Sequence, residues 1–202
     1  MSAAKETAVT SIRAATRNDA AAIADIYAPY VRDTVISFEA VAPDAVQMAE
    51  RIANTLPGLP WLVHEAGGRV TGYAYASPHR ARAAYRWSVD AGIYLGREAH
   101  RQGIGTALYA VLFAALRAQG YHRVYGGITL PNAASVGLHE AQGFKAIGIY
   151  PEVGFKFGAW HDVGWWGLDL APSSQVPAEP LPFSAAILDG ARRVAAGAEA
   201  GR

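Results

Sequence analysis

The first third of the chain alternates between apolar positions at helical spacing and short runs typical of strands. Residues 11–15 are expected to form a strand, and Thr16 with Asp19 has the spacing of a capping box at a helix start. Four apolar residues then share one helical face, namely Ile23, Ile26, Tyr27 and Tyr30. Pro29 is expected to end or kink this helix, because proline lacks the N–H group that a helix interior uses.

A second helix and a β-hairpin are predicted next. The helix is expected to begin near Pro43 and to stop at Pro57-Gly58, with Ala45, Ala49, Ile52 and Leu56 facing inward. Two runs rich in β-favouring residues, 61–65 and 70–75, flank the sequence Ala66-Gly67-Gly68-Arg69. A Gly-Gly pair readily adopts the positive φ angles of a two-residue turn, so these runs predict a hairpin.

The middle of the chain combines a strand, a glycine-rich turn and a helix. The strand covers Asp90–Leu95, and the helix is predicted from apolar residues on one face: Ile104, Leu108, Val111, Leu112, Ala115 and Leu116. Further strands are expected at 123–129, 146–150 and 163–170, with a short helix from Asn132 to about Gln142. The order βααβββαβαββ predicts a mixed sheet and a fold of the α/β (α+β) class.

The glycine-rich turn is the first candidate for a binding site. Gly103 and Gly105 lack a Cβ and would let the backbone approach a ligand closely. The first N–H groups of the following helix have no helical acceptor, so a phosphate is the ligand expected there. The chain lacks the GxxxxGK[ST] loop and the third glycine of the dinucleotide fingerprint. A tight turn that binds nothing remains the alternative at this point.

Composition narrows the class of protein. With 202 residues and 51% hydrophobic content, the chain suits one globular domain, or one domain with a tail. Its net charge is +1, from 18 basic and 17 acidic residues, so no global field would recruit nucleic acid or an anionic membrane. The absence of cysteine excludes disulfides, thiolate zinc sites and a cysteine nucleophile. Residues 1–11 show no apolar run, and a soluble cytoplasmic protein is the expectation.

Three groups of residues carry a resemblance to a known family. They are 77–87 (SPHRARAAYRW), Leu130-Pro131-Asn132 with Leu138-His139-Glu140-Ala141, and Gly154-Phe155-Lys156 with 160–164 (WHDVG). Together they make the stretch from about Ile12 to Leu170 resemble the GNAT N-acetyltransferases, and within them the phosphinothricin and methionine sulfoximine N-acetyltransferases. This resemblance implies acetyl-CoA as co-substrate, direct transfer to a small amino acid without a metal, and a homodimer. The expected domains are a flexible segment 1–10, the GNAT domain 11–170 and a tail 171–202.

The resemblance also implies where acetyl-CoA would lie. The central strand of such enzymes splays from its neighbour and holds the pantetheine arm, a role that falls on Ile93, Tyr94 and Leu95. The pyrophosphate would lie on the loop and helix start formed by Arg101, Gln102, Gly103, Ile104, Gly105 and Thr106. His100 replaces the Gln or Arg usual in the family. Asn132 and Ser135 are expected near the pantetheine, and Asn132 equally suits a helix cap.

Two residues are candidates for proton transfer. Asp90 stands where the family has a glutamate base, just before the pantetheine strand, and its alternative is a carboxylate paired with Arg82 or Arg86. His139 stands where many relatives carry the tyrosine that protonates the leaving thiolate, and its alternative is a structural histidine. An imidazole titrates near neutrality, so it could act either as an acid or as a base.

The acceptor pocket is expected from charge and from the resemblance. Arg80 and Arg82 could clamp the anionic groups of a phosphinothricin-like substrate, and Tyr85 could add a hydroxyl group. The resemblance places Phe38 and Val163 at the pocket wall. The alternatives are a solvated loop for the arginines and an ordinary core aromatic for Phe38.

The last part of the chain is expected to be a linker followed by a helix. Residues 171–182 hold four of the 11 prolines, a linker composition, and Ser184 could cap a last helix with Ile187, Ala191, Val194 and Ala198 on one side. That helix could dock on a partner subunit or stay disordered.

Two other functions stay open for the whole chain. It could acetylate another amine, such as a protein N-terminus or a polyamine, or be an acyl-CoA sensor without catalysis.

Overall fold

The computed structural model describes residues 10–173 and 176–200, which are organised around a seven-stranded mixed sheet. The strands are β1 Thr10–Ala14, β2 Trp61–Ala66, β3 Arg69–Pro78, β4 Ser88–Leu95, β5 Arg123–Thr129, β6 Lys145–Lys156 and β7 Ala159–Asp169. The helices are α1 Ala20–Arg32, α2 Ala45–Thr55, α3 Ile104–Gln119, α4 Ala133–Ala141 and α5 Ala185–Ala200. Residues 1–9 of the expected flexible segment lie outside the described residues, and Thr10 already belongs to β1.

The sheet has the order β1-β2-β3-β4-β5-β7-β6. Neighbouring strands in this sheet are antiparallel, with one exception. β4 and β5 run parallel, and the chain connects them through α3. The predicted hairpin is confirmed: Ala66 pairs with Arg69, and both turn glycines have positive φ angles, 56° for Gly67 and 75° for Gly68. Two consecutive positive φ angles match the twist of the flanking strands.

Two helix boundaries differ from the sequence prediction. The first helix does not end at Pro29 but runs on to Arg32, and Asp33 donates its N–H to the Pro29 carbonyl at 2.9 Å. Residues on both sides of the proline, Tyr27 and Val31, are buried, and this packing offsets the lost hydrogen bond. The second helix begins after Asp44, not at Pro43, because the Asp44 carboxylate accepts the N–H of Gln47 as its cap.

The two faces of the sheet bury different sets of side chains. One face packs against α3 and α4, with Leu108, Leu112, Leu116 and Val124 at its centre. The other packs against α1 and α2 and carries an aromatic stack in which Trp61, Tyr73 and Tyr75 lie with ring centroids 4.5 to 6.2 Å apart. Each candidate site residue on a strand lies either on the face of α3 and α4 or on the face of α1 and α2.

The strands β4 and β5 separate halfway along their length. Their pairing covers only Ser88–Asp90 with Arg123–Tyr125. Beyond that point β4 continues on β3 as far as Leu95, and β5 continues on β7 as far as Thr129. The backbone edges of β4 and β5 therefore face each other across a widening gap. The expected splayed strand pair is confirmed.

The tail returns to its own chain. Ser184 accepts the Ile187 N–H at 3.3 Å, as the predicted cap requires, and α5 packs on α3. The buried face is formed by Leu188, Ala191 and Ala195. Of the four predicted inward residues, Ala191 is buried and Ile187 packs against the core, whereas Val194 and Ala198 are exposed. No helix in the described part of the chain is long and apolar enough to cross a membrane.

Candidate active site

The start of α3 has the geometry that an anion needs. Gly103, with φ of 76°, turns the chain into the helix, and Arg101 holds a positive φ of 59° that is unusual for a residue with a side chain. The N–H groups of Ile104, Gly105 and Thr106 have no helical acceptor and point out of the first turn. A Cβ on Gly105 would lie 3.1 Å from the Leu138 side chain, so only glycine fits here without a shift. The loop therefore fits a pyrophosphate.

The other residues expected around acetyl-CoA border the same gap. Ile93 and Leu95 pack toward α3, while the Tyr94 ring lies on the other face against Tyr27, with centroids 4.7 Å apart. The Leu95 carbonyl accepts the Tyr30 hydroxyl at 2.7 Å. His100, the departure from the family loop, lies against this strand end, with Nε2 3.2 Å from the Tyr30 hydroxyl.

Two further loop and helix residues have clear structural partners. The Gln102 side chain donates to the Glu98 carbonyl inside the loop. The Asn132 side chain accepts the Ser135 N–H at 3.1 Å, so the cap predicted for α4 is confirmed. Both Asn132 and Ser135 are partly buried at the start of α4, whose Leu138 touches the start of α3.

Asp90 is paired with His79, a histidine for which the sequence predicted no role. Its Oδ1 lies 2.6 Å from Nδ1 of His79, and the expected alternative partners do not bind it: Arg86 pairs with Glu179, and Arg82 is exposed. A nitrogen that faces a carboxylate carries the proton, so His79 donates. Burial raises the pKa of Asp90, and the hydrogen bond from His79 offsets this only in part.

The Asp90–His79 pair lies at the point where β4 and β5 part. Asp90 is opposite Tyr125, the last paired residue of β5, and the His79 ring stacks on Tyr125 with centroids 4.4 Å apart. Since paired residues of neighbouring strands share a face, this is the face of α1 and α2. His79 was missed because residues 79–87 form a loop, so the register that brings it to Asp90 cannot be read from local sequence.

A cavity of about 410 Å³ opens next to this pair on the same face. It is lined by Ile36, Phe38, Gly127, Thr129, Tyr150, Val153, Val163 and Trp165, and thus contains both predicted wall residues. The Arg80 guanidinium lies 5.7 Å from the Trp165 ring, and the Tyr85 ring lies 5.9 Å from His79. The structure therefore brings Arg80 and Tyr85 to the rim, and Arg82, which is exposed as they are, directly precedes a short helical turn, Ala83–Tyr85.

His139 lies at the same junction but on the opposite face. A Cβ on Gly126, the residue after Tyr125, would lie 2.7 Å from His139 Nε2. The ring is buried between α4 and α3, with Nδ1 2.8 Å from the Ser135 carbonyl and Nε2 3.1 Å from the Tyr109 hydroxyl. Burial lowers the pKa of His139, which favours the neutral ring. A neutral ring that donates from Nδ1 to a carbonyl has no second proton to give.

The described residues hold no group of three or more His, Asp or Glu side chains able to bind a metal ion. The site itself offers one partly buried carboxylate held by a histidine, an anion-binding helix start and an apolar cavity with an arginine at its rim. These parts meet where the sheet opens.

Comparisons with known proteins agree with this geometry. Residues 12–165 match the Acetyltransferase (GNAT) domain family. A phosphinothricin N-acetyltransferase from Streptomyces viridochromogenes is 39% identical over 85% of this chain and 91% of that protein. An L-methionine sulfoximine/L-methionine sulfone acetyltransferase from Pseudomonas paraeruginosa is 36% identical over 83% of this chain and 98% of that protein.

Among solved structures, a phosphinothricin acetyltransferase from Sinorhizobium meliloti in complex with AcCoA superposes with a TM-score of 0.80. It is 35% identical, and the match covers 84% of this chain and 94% of that one. The resemblance inferred from the sequence is confirmed. The chain belongs to the GNAT acetyltransferase family, among the relatives of phosphinothricin and methionine sulfoximine N-acetyltransferases.

Proposed function

We propose that this chain transfers the acetyl group of acetyl-CoA to the α-amino group of a small anionic amino acid, such as L-phosphinothricin or L-methionine sulfoximine. One observation carries the proposal. The Asp90–His79 pair lies where β4 and β5 part, between the glycine-lined start of α3 and the cavity walled by Phe38 and Val163. A base at this place faces both substrates.

The base in this proposal is Asp90. The acceptor amine gives a proton to the Asp90 carboxylate, directly or through one water molecule, and its nitrogen attacks the thioester carbonyl carbon. The carbon–sulfur bond then breaks, the electron pair leaves with the CoA thiolate, and the second proton that the acylated nitrogen loses converts this thiolate to the thiol. An α-amino group has a pKa near 8 in water, so a weak base is sufficient. His79 donates to the carboxylate and fixes its orientation, which makes it a positioning residue.

His139 has a different role in this proposal. Its two nitrogens already bind Ser135 and Tyr109, and its lowered pKa favours the neutral ring. We therefore propose that His139 is structural and packs α4 against Gly126 of β5. Proton transfer is assigned to Asp90 alone. The expectation that His139 protonates the leaving thiolate has no support from its hydrogen-bond partners.

Acetyl-CoA binds along the gap between β4 and β5 in this proposal. Backbone groups of β4 from Ile93 to Leu95 hold the pantetheine arm, and the N–H groups of residues 103–106 hold the pyrophosphate together with the Arg101 guanidinium. Asn132 and Ser135 border the arm from the start of α4. The Gly105 position, which a Cβ would fill, supports this placement.

The acceptor site lies on the other side of Asp90. Arg80, at the rim beside Trp165, binds the anionic head group or the carboxylate, and the Tyr85 hydroxyl adds a hydrogen bond. Phe38 and Val163 contact the aliphatic part. A cationic polyamine would meet Arg80 as a like charge, which argues against that acceptor.

Turnover with a panel of acceptors tests the function. We expect release of CoA thiol from acetyl-CoA with L-phosphinothricin, L-methionine sulfoximine or L-methionine sulfone, and none with spermidine. Arg80→Ala should raise the acceptor KM by about tenfold or more, because a charged hydrogen-bond donor is lost. Arg82→Ala, the matched control, should raise it less, since it is the Arg80 guanidinium that lies over the Trp165 ring of the cavity.

Other outcomes of the panel have clear meanings. Binding of acetyl-CoA by calorimetry without turnover of any acceptor would replace the proposal by a CoA-binding sensor. Turnover of spermidine, or a larger loss in Arg82→Ala than in Arg80→Ala, would contradict the acceptor site described above.

We propose further that the enzyme is a homodimer that acts in the cytoplasm, where acetyl-CoA is available. The support for the dimer is β6, a 12-residue strand at the edge of the sheet with a large exposed apolar surface. The exposed apolar side chains of this edge are Ile147, Ile149 and Phe155 on β6, Phe157 in the turn and Trp160 on β7. Tyr150 and Val153 of β6 are also exposed and line the cavity described above. Such a patch on a long edge strand is typical of a subunit interface.

A charge placed in this patch tests the dimer. Phe155→Lys should shift the molar mass from dimer to monomer in size-exclusion chromatography with light scattering, because the 61% exposed ring would be buried by a second copy. Val46→Lys, at a 69% exposed apolar residue on α2, is the matched control and should leave the mass unchanged. A monomeric parent protein, or a dimer that survives Phe155→Lys, would contradict this assignment.

A further inference from the structure

The linker before α5 lies against the loop that carries the acceptor residues. The Trp87 indole N–H donates to the Ala178 carbonyl at 2.8 Å. Next to it, Arg86 forms an ion pair of 3.1 Å with Glu179, and its guanidinium lies 4.4 Å from the Trp87 ring. This linker lies outside residues 12–165, which match the family. The contact is therefore made by a segment beyond the family's domain.

The linker is itself fixed to the core by a buried glutamine. The Gln119 side chain, at the end of α3, donates to the Leu181 carbonyl at 2.7 Å and to the Gly58 carbonyl at 2.8 Å. The Leu181 N–H returns a hydrogen bond to the Gln119 carbonyl at 2.8 Å. Gln119 is 1% exposed, so these bonds are protected from water. Pro177 and Pro180 flank the contact and restrict its backbone.

Trp87 ends the loop of residues 79–87. Its carbonyl accepts the N–H of His122 at 2.9 Å, which holds the loop end at the start of β5. The other end of the loop is held by the bond from His79 to Asp90. Between these two points the loop carries Arg80 and Tyr85, and residues 81–86 are exposed. The position of the rim residues thus depends on how firmly the two ends are held.

We propose that residues 176–181 brace the 79–87 loop, with Trp87 as a positioning residue for the amino-acid acceptor. This inference rests on the proposed function, since it assigns Arg80 and Tyr85 to the acceptor. The brace acts through the loop and touches neither the start of α3 nor the gap between β4 and β5. It therefore affects the acceptor and leaves acetyl-CoA binding unchanged.

Trp87→Phe in the full-length chain tests the brace, since it removes the indole N–H and keeps a ring beside Arg86. We expect the acceptor KM to rise by about three- to tenfold, the equivalent of one hydrogen bond, with the KM for acetyl-CoA within twofold of the parent. Amide hydrogen exchange in residues 80–86 should become faster. A second variant, Pro177→Ala with Pro180→Ala, keeps Trp87 and loosens the linker, and it should shift the same two readouts in the same direction.

Asp189→Asn is the control, because it removes a tail ion pair with Arg192 on α5, whose guanidinium binds the Ile12 carbonyl of β1 and not the loop, and neither readout should change. Unchanged acceptor KM and unchanged exchange in Trp87→Phe would overturn the brace. Equal changes in both KM values, accompanied by a lower Tm, would also overturn it in favour of general destabilisation. If the parent protein acetylates no acceptor, the proposed function fails, and the exchange measurement still decides whether the linker holds the loop.

Discussion

Asp90→Asn should lower kcat by about 100- to 10,000-fold, which is the usual contribution of a general base. The amide keeps the size of the side chain and can still accept a hydrogen bond from His79, but it cannot take a proton from the amine. The KM for acetyl-CoA should stay within a few-fold, because Asp90 lies on the face away from α3. Steady-state kinetics with the best acceptor measure this. Asp25→Asn, at an exposed carboxylate on α1, is the control.

The raised pKa of Asp90 predicts how kcat and stability depend on pH. Burial raises the pKa of Asp90 above its ordinary value, so the acid limb of the kcat profile should lie above pH 4, the region of an exposed aspartate. A folded-state pKa that is raised means that the protonated form is favoured by folding. The stabilising contribution of Asp90 is then present at low pH and is lost as the pH rises through the raised pKa.

Stability measurements complete this test. At neutral pH the buried carboxylate costs stability, so Asp90→Asn should unfold at a Tm equal to or above that of the parent. The difference between the two proteins should shrink as both are acidified. A large loss of kcat with a lower Tm would point to misfolding, and full activity of Asp90→Asn would remove Asp90 from the mechanism.

Much of the fold was predictable because it depends on local patterns. The 66–69 turn, the cap at Asn132 and the helix that starts after Gly103 each depend on residues within a few positions of one another. The glycine-lined start of α3 was predicted for the same reason. Anion binding there needs only a helix terminus and small residues, and both are visible in the sequence.

What the sequence did not predict depends on distant contacts. The 146–150 and 163–170 strands are in fact parts of a long hairpin whose turn holds Phe157 at a φ of 51°, a position where a glycine or asparagine would have been expected. The partner of Asp90 was missed because the β3–β4 register joins residues separated by a nine-residue loop. Helix α1 continues past Pro29 because packing against the sheet outweighs a lost hydrogen bond.

Gly105→Val should weaken acetyl-CoA binding by about 10- to 100-fold, the second largest effect expected in this protein. A Cβ at residue 105 would already lie 3.1 Å from Leu138 and 3.6 Å from Ile93, and valine adds two methyl groups to it. The first turn of α3 would have to move away from β4 and α4. The N–H groups of Ile104 and Thr106 would then no longer converge on the pyrophosphate.

Calorimetric titration with acetyl-CoA, at matched protein concentration, measures the change in Kd. Gly137→Val in α4 is the matched control, because a Cβ there meets no atom within 4 Å. It should leave Kd unchanged and leave the free energy of unfolding equal or slightly higher, since valine tolerates a helix better than glycine. Gly105→Val should instead cost about 1–3 kcal/mol of stability through overpacking.

If Gly105→Val binds acetyl-CoA as tightly as the parent while Leu138 is displaced, the pyrophosphate does not bind at the start of α3. The anion would then have to be held by side chains such as Arg101, and Arg101→Ala would show the larger loss.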